Sequence, residues 1–92
     1  MIIEQTSRFK KHVKKLHENQ KKELDLAIKK IIENPHIGGE KKGVLQQVRV
    51  YKFKMQKQLT LCAYILPDSQ KIILLSLGSH ENFYSDLENY IQ

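Results

Sequence analysis

Apolar positions along the 92-residue chain change rhythm near its middle. In the first part Phe9, Val13 and Leu16 recur at i, i+4 and i+7, with Thr6 or Ser7 placed to cap the helix they predict. His17-Glu18-Asn19-Gln20 interrupts that stripe. A second stripe follows, Leu24, Ala27, Ile28, Ile31 and Ile32, and stops at Asn34-Pro35 because proline cannot continue a helix. The two stripes predict a helical hairpin. From Leu45 the texture turns β-branched and aromatic, in runs Val48 to Met55, Leu59 to Leu66 and Lys71 to Leu77 with short polar turns between them. Such runs predict an antiparallel meander. Its last two strands are almost wholly apolar and are expected to lie centrally, covered on one face by the hairpin. Met1 to Gln5 can add an edge strand, for about four in all. After Leu77, Gly78 permits a sharp turn and Ser79 can cap a last helix reaching about Ile91, with Phe83, Leu87 and Tyr90 or Ile91 as its stripe. The expected fold class is therefore α+β: an N-terminal helical hairpin on a small, mainly antiparallel sheet, closed by a C-terminal helix, in one domain over residues 1–92.

Composition narrows this picture without naming a reaction. A chain of this length has too little surface to bury for two independent cores, and its hydrophobic share of 40% supports one. Cys62 is the single cysteine, so no disulfide can form within the chain, and the N-terminus lacks the basic-then-apolar pattern of a secretory signal. A cytoplasmic setting is expected. The longest apolar run, Ile72 to Leu77 broken by Ser76, falls far short of the roughly 20 residues that cross a bilayer, so no membrane partner is expected. The net charge of +6 favours encounter with polyanions. Lys10, Lys11, Lys14, Lys15, Lys21, Lys22, Lys29 and Lys30 lie mainly off the apolar stripes, which favours a solvated outer face over a dedicated RNA-binding helix. Gly38-Gly39 to Gly43 reads as a flexible connection and lacks the Gly-Lys-Ser/Thr ending of a phosphate-binding loop.

Candidate chemistry gathers in two places. A period of two puts Arg49, Tyr51, Phe53 and Met55 on one face of the first meander strand and Val48, Val50, Lys52 and Lys54 on the other. If helices cover the Tyr51 side, Lys52 and Lys54 project from the open face, either as adjacent charges for a substrate or as lysines that discourage edge aggregation. His80 and Tyr84, four apart, emerge at a strand-to-helix corner, either as a catalytic pair or as a capping histidine beside a rim tyrosine. RNA carries its own nucleophile in the 2′-hydroxyl, so a site needs a base, an acid and cations for the phosphoryl oxygens. His80, Lys52, Lys54, Arg49 and Tyr84 supply that set, tyrosine by stacking on a base or positioning the phosphate. Strand parity points Arg49 away from the lysines unless a bulge intervenes. Cys62 with His12, His17, His36 and His80 shows no compact zinc-ligand spacing, Cys62 sits in an apolar strand as a buried inert thiol, and no Gly-x-Ser-x-Gly elbow occurs. No metal or cofactor is expected.

The stretch Gly43-Val44-Leu45-Gln46-Gln47-Val48-Arg49-Val50-Tyr51-Lys52-Phe53-Lys54, running into Gln58-Leu59-Thr60-Leu61-Cys62-Ala63-Tyr64, resembles the RelE/ParE superfamily of bacterial toxins. Leu74-Leu75-Ser76-Leu77-Gly78-Ser79-His80-Glu81-Asn82-Phe83-Tyr84 resembles the closing strand and histidine segment of its YafQ-like ribonuclease branch. The resemblance spans nearly the whole chain. It implies a RelE-like fold and a toxin that enters the ribosomal A site, cuts messenger RNA and is held inactive by a cognate antitoxin. Lys52 and Lys54 match the paired basic strand positions of RelE-type toxins, His80 the C-terminal catalytic histidine of the YafQ-like branch, and Tyr84 the aromatic residue four positions later. RelE has an arginine where this chain has Leu59-Thr60-Leu61 and another near the corner occupied by His80, which favours proton transfer through His80. The alternative within the superfamily is a ParE-type toxin that inhibits DNA gyrase without cutting nucleic acid.

Overall fold

The computed structural model describes residues 1–91. In chain order it contains β1 (Ile2–Gln5), α1 (Ser7–Lys14), α2 (Glu18–Glu33), β2 (Gly39–Glu40), a 3₁₀ turn (Gly43–Leu45), β3 (Arg49–Met55), β4 (Gln58–Asp68), β5 (Lys71–Ser79) and α3 (Phe83–Ile91). The strands form one sheet in the order β1-β5-β4-β3-β2, antiparallel throughout except for β1, which runs parallel to β5. The α+β class and the meander agree with the sequence pattern. The sheet has five strands rather than four, because Gly39 and Glu40, expected in a flexible connection, pair with Val50 and Arg49. A two-residue strand containing glycine carries no periodicity to read.

The first two helices also differ from the expected hairpin. α1 lies over β5 and α2 over β3, so each buries its stripe on the sheet. Phe9 of α1 and Leu24 and Ile31 of α2 join Cys62, Tyr64, Ile72, Leu74 and Leu77 in the core on that face. Thr6 starts α1: its hydroxyl accepts from Phe9 N at 3.0 Å and donates to Leu75 O at 2.8 Å, a cap that also ties the helix to β5. The opposite face carries a second core, in which Leu45, Val48, Val50, Leu61, Ala63 and Leu75 receive Phe83 and Leu87 of α3. Arg8 joins the layers around the β5 edge, its Nε donating to Ser76 Oγ at 3.2 Å and its guanidinium lying 4.9 Å from the Tyr90 ring centre.

A bulge reconciles β5 with both cores. Ala63 faces Ser76 while Tyr64 faces Leu74, leaving Leu75 as an additional residue on β5. Strict alternation would split Leu74 and Leu77 between faces; the bulge brings both to the helix-covered side and sends Leu75 to the other. The β3–β4 hairpin turns through Gln56 and Lys57, both at positive φ (51° and 69°), a conformation that costs side-chain-bearing residues roughly 1–2 kcal/mol each. Glu23 of α2 helps hold this turn, accepting from Gln56 N at 2.6 Å.

Candidate active site

The α3-side face of the sheet is filled at one end only. Val50 is buried in the second core, and alternation then directs Lys52 and Lys54 to the same face, where both are exposed. Tyr51 and Phe53 point the other way into the helix-covered core, their rings stacked at 5.9 Å. Lys52 lies opposite Leu61, and Leu61 opposite Gly78. Two interstrand steps of roughly 4.8 Å therefore separate the lysine row from the Gly78 corner. Lys54 lies opposite Leu59, which is 41% exposed, so α3 leaves this end of the face bare. Neither lysine pairs with a carboxylate among the described residues.

The corner is built around Phe83. A Cβ on Gly78 would sit 3.3 Å from Phe83 Cδ1, so glycine lets the ring pack close beneath the strand end. β5 runs through Ser79, and α3 starts only at Phe83. The turn between them is made by His80, whose carbonyl accepts from Phe83 N at 3.4 Å, and by Asn82, at φ 59°, whose carbonyl accepts from Asp86 N at 3.0 Å. Ser79 therefore belongs to the strand and does not cap the helix. His80 stands in the turn rather than one helical turn before Tyr84, yet the two rings meet edge-on, with centroids 6.3 Å apart and planes at 85°.

His80 is exposed and Tyr84 is half-buried. Among the described residues the Tyr84 hydroxyl is buried with no hydrogen-bond partner, and its ring stands edge-on to that of His80. On that ring Lys41 places its ammonium 4.9 Å from the centre. Lys41 follows β2 in a segment that carried no functional expectation, and nothing local in the sequence connects it to Tyr84.

Arg49 is not brought to this site. It alternates with Tyr51, away from the lysines, and its guanidinium donates to His36 O at 3.1 Å, Gly38 O at 2.8 Å and Glu40 Oε1 at 2.7 Å. No bulge on β3 turns it round, and it ties the α2–β2 connection to the sheet. The same connection is held from beneath by Tyr64, fully buried, whose hydroxyl donates to Pro35 O at 2.6 Å and accepts from Gly38 N at 3.0 Å. Burial pushes the Tyr64 phenol above its ordinary pKa, against the opposing pull of the Gly38 hydrogen bond and the Arg49 charge. Burial pushes the Cys62 thiol up to about 12, consistent with an inert core cysteine. Among the described residues no group of three or more His, Cys, Asp or Glu side chains is gathered to hold a metal ion. None of the helices among them is long and apolar enough to cross a membrane.

This fold is similar to that of the E. coli toxin RelE. A double arginine-to-alanine mutant of RelE in the free state matches with a TM-score of 0.73 at 21% identity, over 99% of this chain and 97% of that one. Isolated E. coli RelE matches at 0.68 and 20%, over 99% and 98%. A chain of the intact E. coli RelBE toxin–antitoxin complex matches at 0.68 and 21%, over 87% of this chain and 96% of its own. At these identities the likeness is one of fold. No curated protein sequence matches. The family model of the ParE-like toxin of type II bacterial toxin–antitoxin systems matches residues 3–88, and the chain belongs to that family, within the RelE/ParE superfamily.

Proposed function

We propose that this type II toxin is an endoribonuclease that cuts messenger RNA at the ribosomal A site, with His80 as its proton-transfer residue. What supports this reading is the bare end of the α3-side face, where Lys52 and Lys54, exposed and without a carboxylate partner among the described residues, lie two strands from the corner that carries the exposed His80. The 2′-hydroxyl attacks the adjacent phosphorus and the bond to the departing 5′ oxygen breaks, leaving a cyclic phosphate and a free 5′-hydroxyl. His80 suits one of the two proton transfers because an imidazole ring can accept a proton on one nitrogen and donate one from the other. Lys52 and Lys54 stabilise the charge that grows on the non-bridging oxygens, a role that needs no metal. Tyr84 keeps the imidazole in place. As in the RelBE complex, a cognate antitoxin is the expected partner, and an acidic one would suit the +6 charge.

The family description, which names ParE, supports a second reading: a toxin that inhibits DNA gyrase without cutting RNA. Expression of the wild type and His80→Ala in bacteria, with transcript ends mapped, separates the two. Reading-frame-dependent cuts in translated mRNA that vanish in His80→Ala are the expected result. Undiminished toxicity of His80→Ala together with DNA-damage signalling would assign the protein to gyrase.

A further inference from the structure

Behind the Gly78-Ser79 corner, on the helix-covered side, lies a cavity of about 210 Å³ between the end of α1, the start of α2 and the β3–β4 turn. Leu16, Met55 and Leu77 give it an apolar floor, and Lys15, His12, Gln20 and Gln58 stand around its rim. Its wall includes Ser79, the residue directly before His80. We propose that this cavity is a nucleotide subsite, taking the base of a residue that flanks the cleaved bond and holding its phosphate on Lys15 and His12. The proposal rests on the ribonuclease reading of the His80 corner.

Size and chemistry both select this occupant. The volume lies below the roughly 300–1,000 Å³ of pockets that enclose drug-sized ligands, and suits a single ring system on an apolar floor. Amides are suited to the edge of a base because each carries both donors and an acceptor. Gln20 already uses Oε1 to accept from His17 N at 2.8 Å, which leaves its N–H groups for a base acceptor, while the Gln58 amide is exposed. Among the described residues no carboxylate lines the cavity. On the other side of His12 a cavity of about 220 Å³ shares the same strand end, but Glu81 and Asp86 line it and disfavour phosphate. His12 has its pKa lowered, first by burial and then by the Arg8 and Lys15 charges. An anion beside Lys15 would offset those two cations and so raise the His12 pKa, while the contribution of burial stays. An RNA strand crossing the Lys52–Lys54 row to His80 thus reaches this cavity by passing over the Ser79 rim.

The test uses the full chain and a short single-stranded RNA whose cleavage-site 2′-hydroxyl is replaced by hydrogen, so binding is read without reaction. On titration, the side-chain resonances of His12 and Gln58 are expected to shift and the His12 titration midpoint to rise. Lys15→Ala, at an exposed position, is expected to weaken binding about tenfold and to flatten the salt dependence of log affinity by about 0.7. In programmed ribosomes Gln58→Ala is expected to relax the base preference next to the cut. Shifts confined to Lys52, Lys54 and His80, with Lys15→Ala binding as wild type does, would overturn the subsite while leaving the nuclease intact, and so would failure of the RNA to bind at all. Absence of cleavage by the wild type, with the His12 and Gln58 shifts present, would instead remove the nuclease reading and with it the assignment of this cavity to a residue flanking the cut.

Discussion

The two faces of the sheet bury similar kinds of residue but treat β3 differently. On the helix-covered face Tyr51, Phe53 and Met55 continue into the core to the end of the strand. On the α3 face burial stops at Val50, and the next two inward positions are Lys52 and Lys54, with Leu59 exposed beside them. Two helices span the first face, whereas one nine-residue helix, α3, and a 3₁₀ turn span only part of the second. Packing thus accounts for Tyr51, Phe53 and Met55 on one face and for no residue beyond Val50 on the other. Residues that stability does not require are the ones free to serve chemistry, which is why the bare end is read as the site.

The sharpest way to break this comparison is to remove the lysines singly. Lys52→Ala and Lys54→Ala should each slow cleavage in programmed ribosomes by about 10²–10³-fold, the usual loss for one preorganised charge donor. Their thermal unfolding should stay within about 0.5 kcal/mol of wild type, since both are exposed and neither pairs with a carboxylate among the described residues. A large fall in stability with intact cleavage would show that the bare end is structural after all. On the packed face the expectation inverts. Tyr64→Phe deletes a buried hydroxyl that both donates to Pro35 and accepts from Gly38, and should cost about 1–3 kcal/mol in denaturant titration while cleavage per folded molecule is kept.

Smaller effects sharpen the boundary between the two regions. Because the Tyr84 hydroxyl is buried without a partner among the described residues, Tyr84→Phe should keep activity and raise stability by about 1 kcal/mol, whereas a large rate loss would show that the phenol reaches the substrate. Replacing the β3–β4 turn by Gln56→Asn with Lys57→Gly relieves two left-handed backbones and should stabilise the protein by about 1 kcal/mol, with the rate of cleavage unchanged. Loss of activity in that variant would place the hairpin tip in the path of the RNA.

Much of this arrangement is legible in the chain. Pro35 marks the end of α2, alternation along Val48 to Met55 separates Lys52 and Lys54 from Tyr51 and Phe53, and Phe83 with Leu87 identifies the buried side of α3. Other features are not. β2 is two residues long, the β5 bulge breaks the period at Leu75, and Asn82 rather than Ser79 leads into α3. Arg49 looks like a substrate-binding arginine until its three acceptors are seen, two of them backbone carbonyls, which no side-chain motif can announce.

By itself, then, the sequence determined which face the residues of the three helices and of β3 take, because that follows from the repeat of the backbone and the preference of apolar groups for burial. Tertiary structure alone decided what each polar group meets: Lys41 the Tyr84 ring, the imidazole of His80 the edge of that ring, and Arg49 the α2–β2 connection. Hydrogen bonds and charges act over a few ångströms between residues far apart in the chain, so their partners exist only once the sheet has set its order and register.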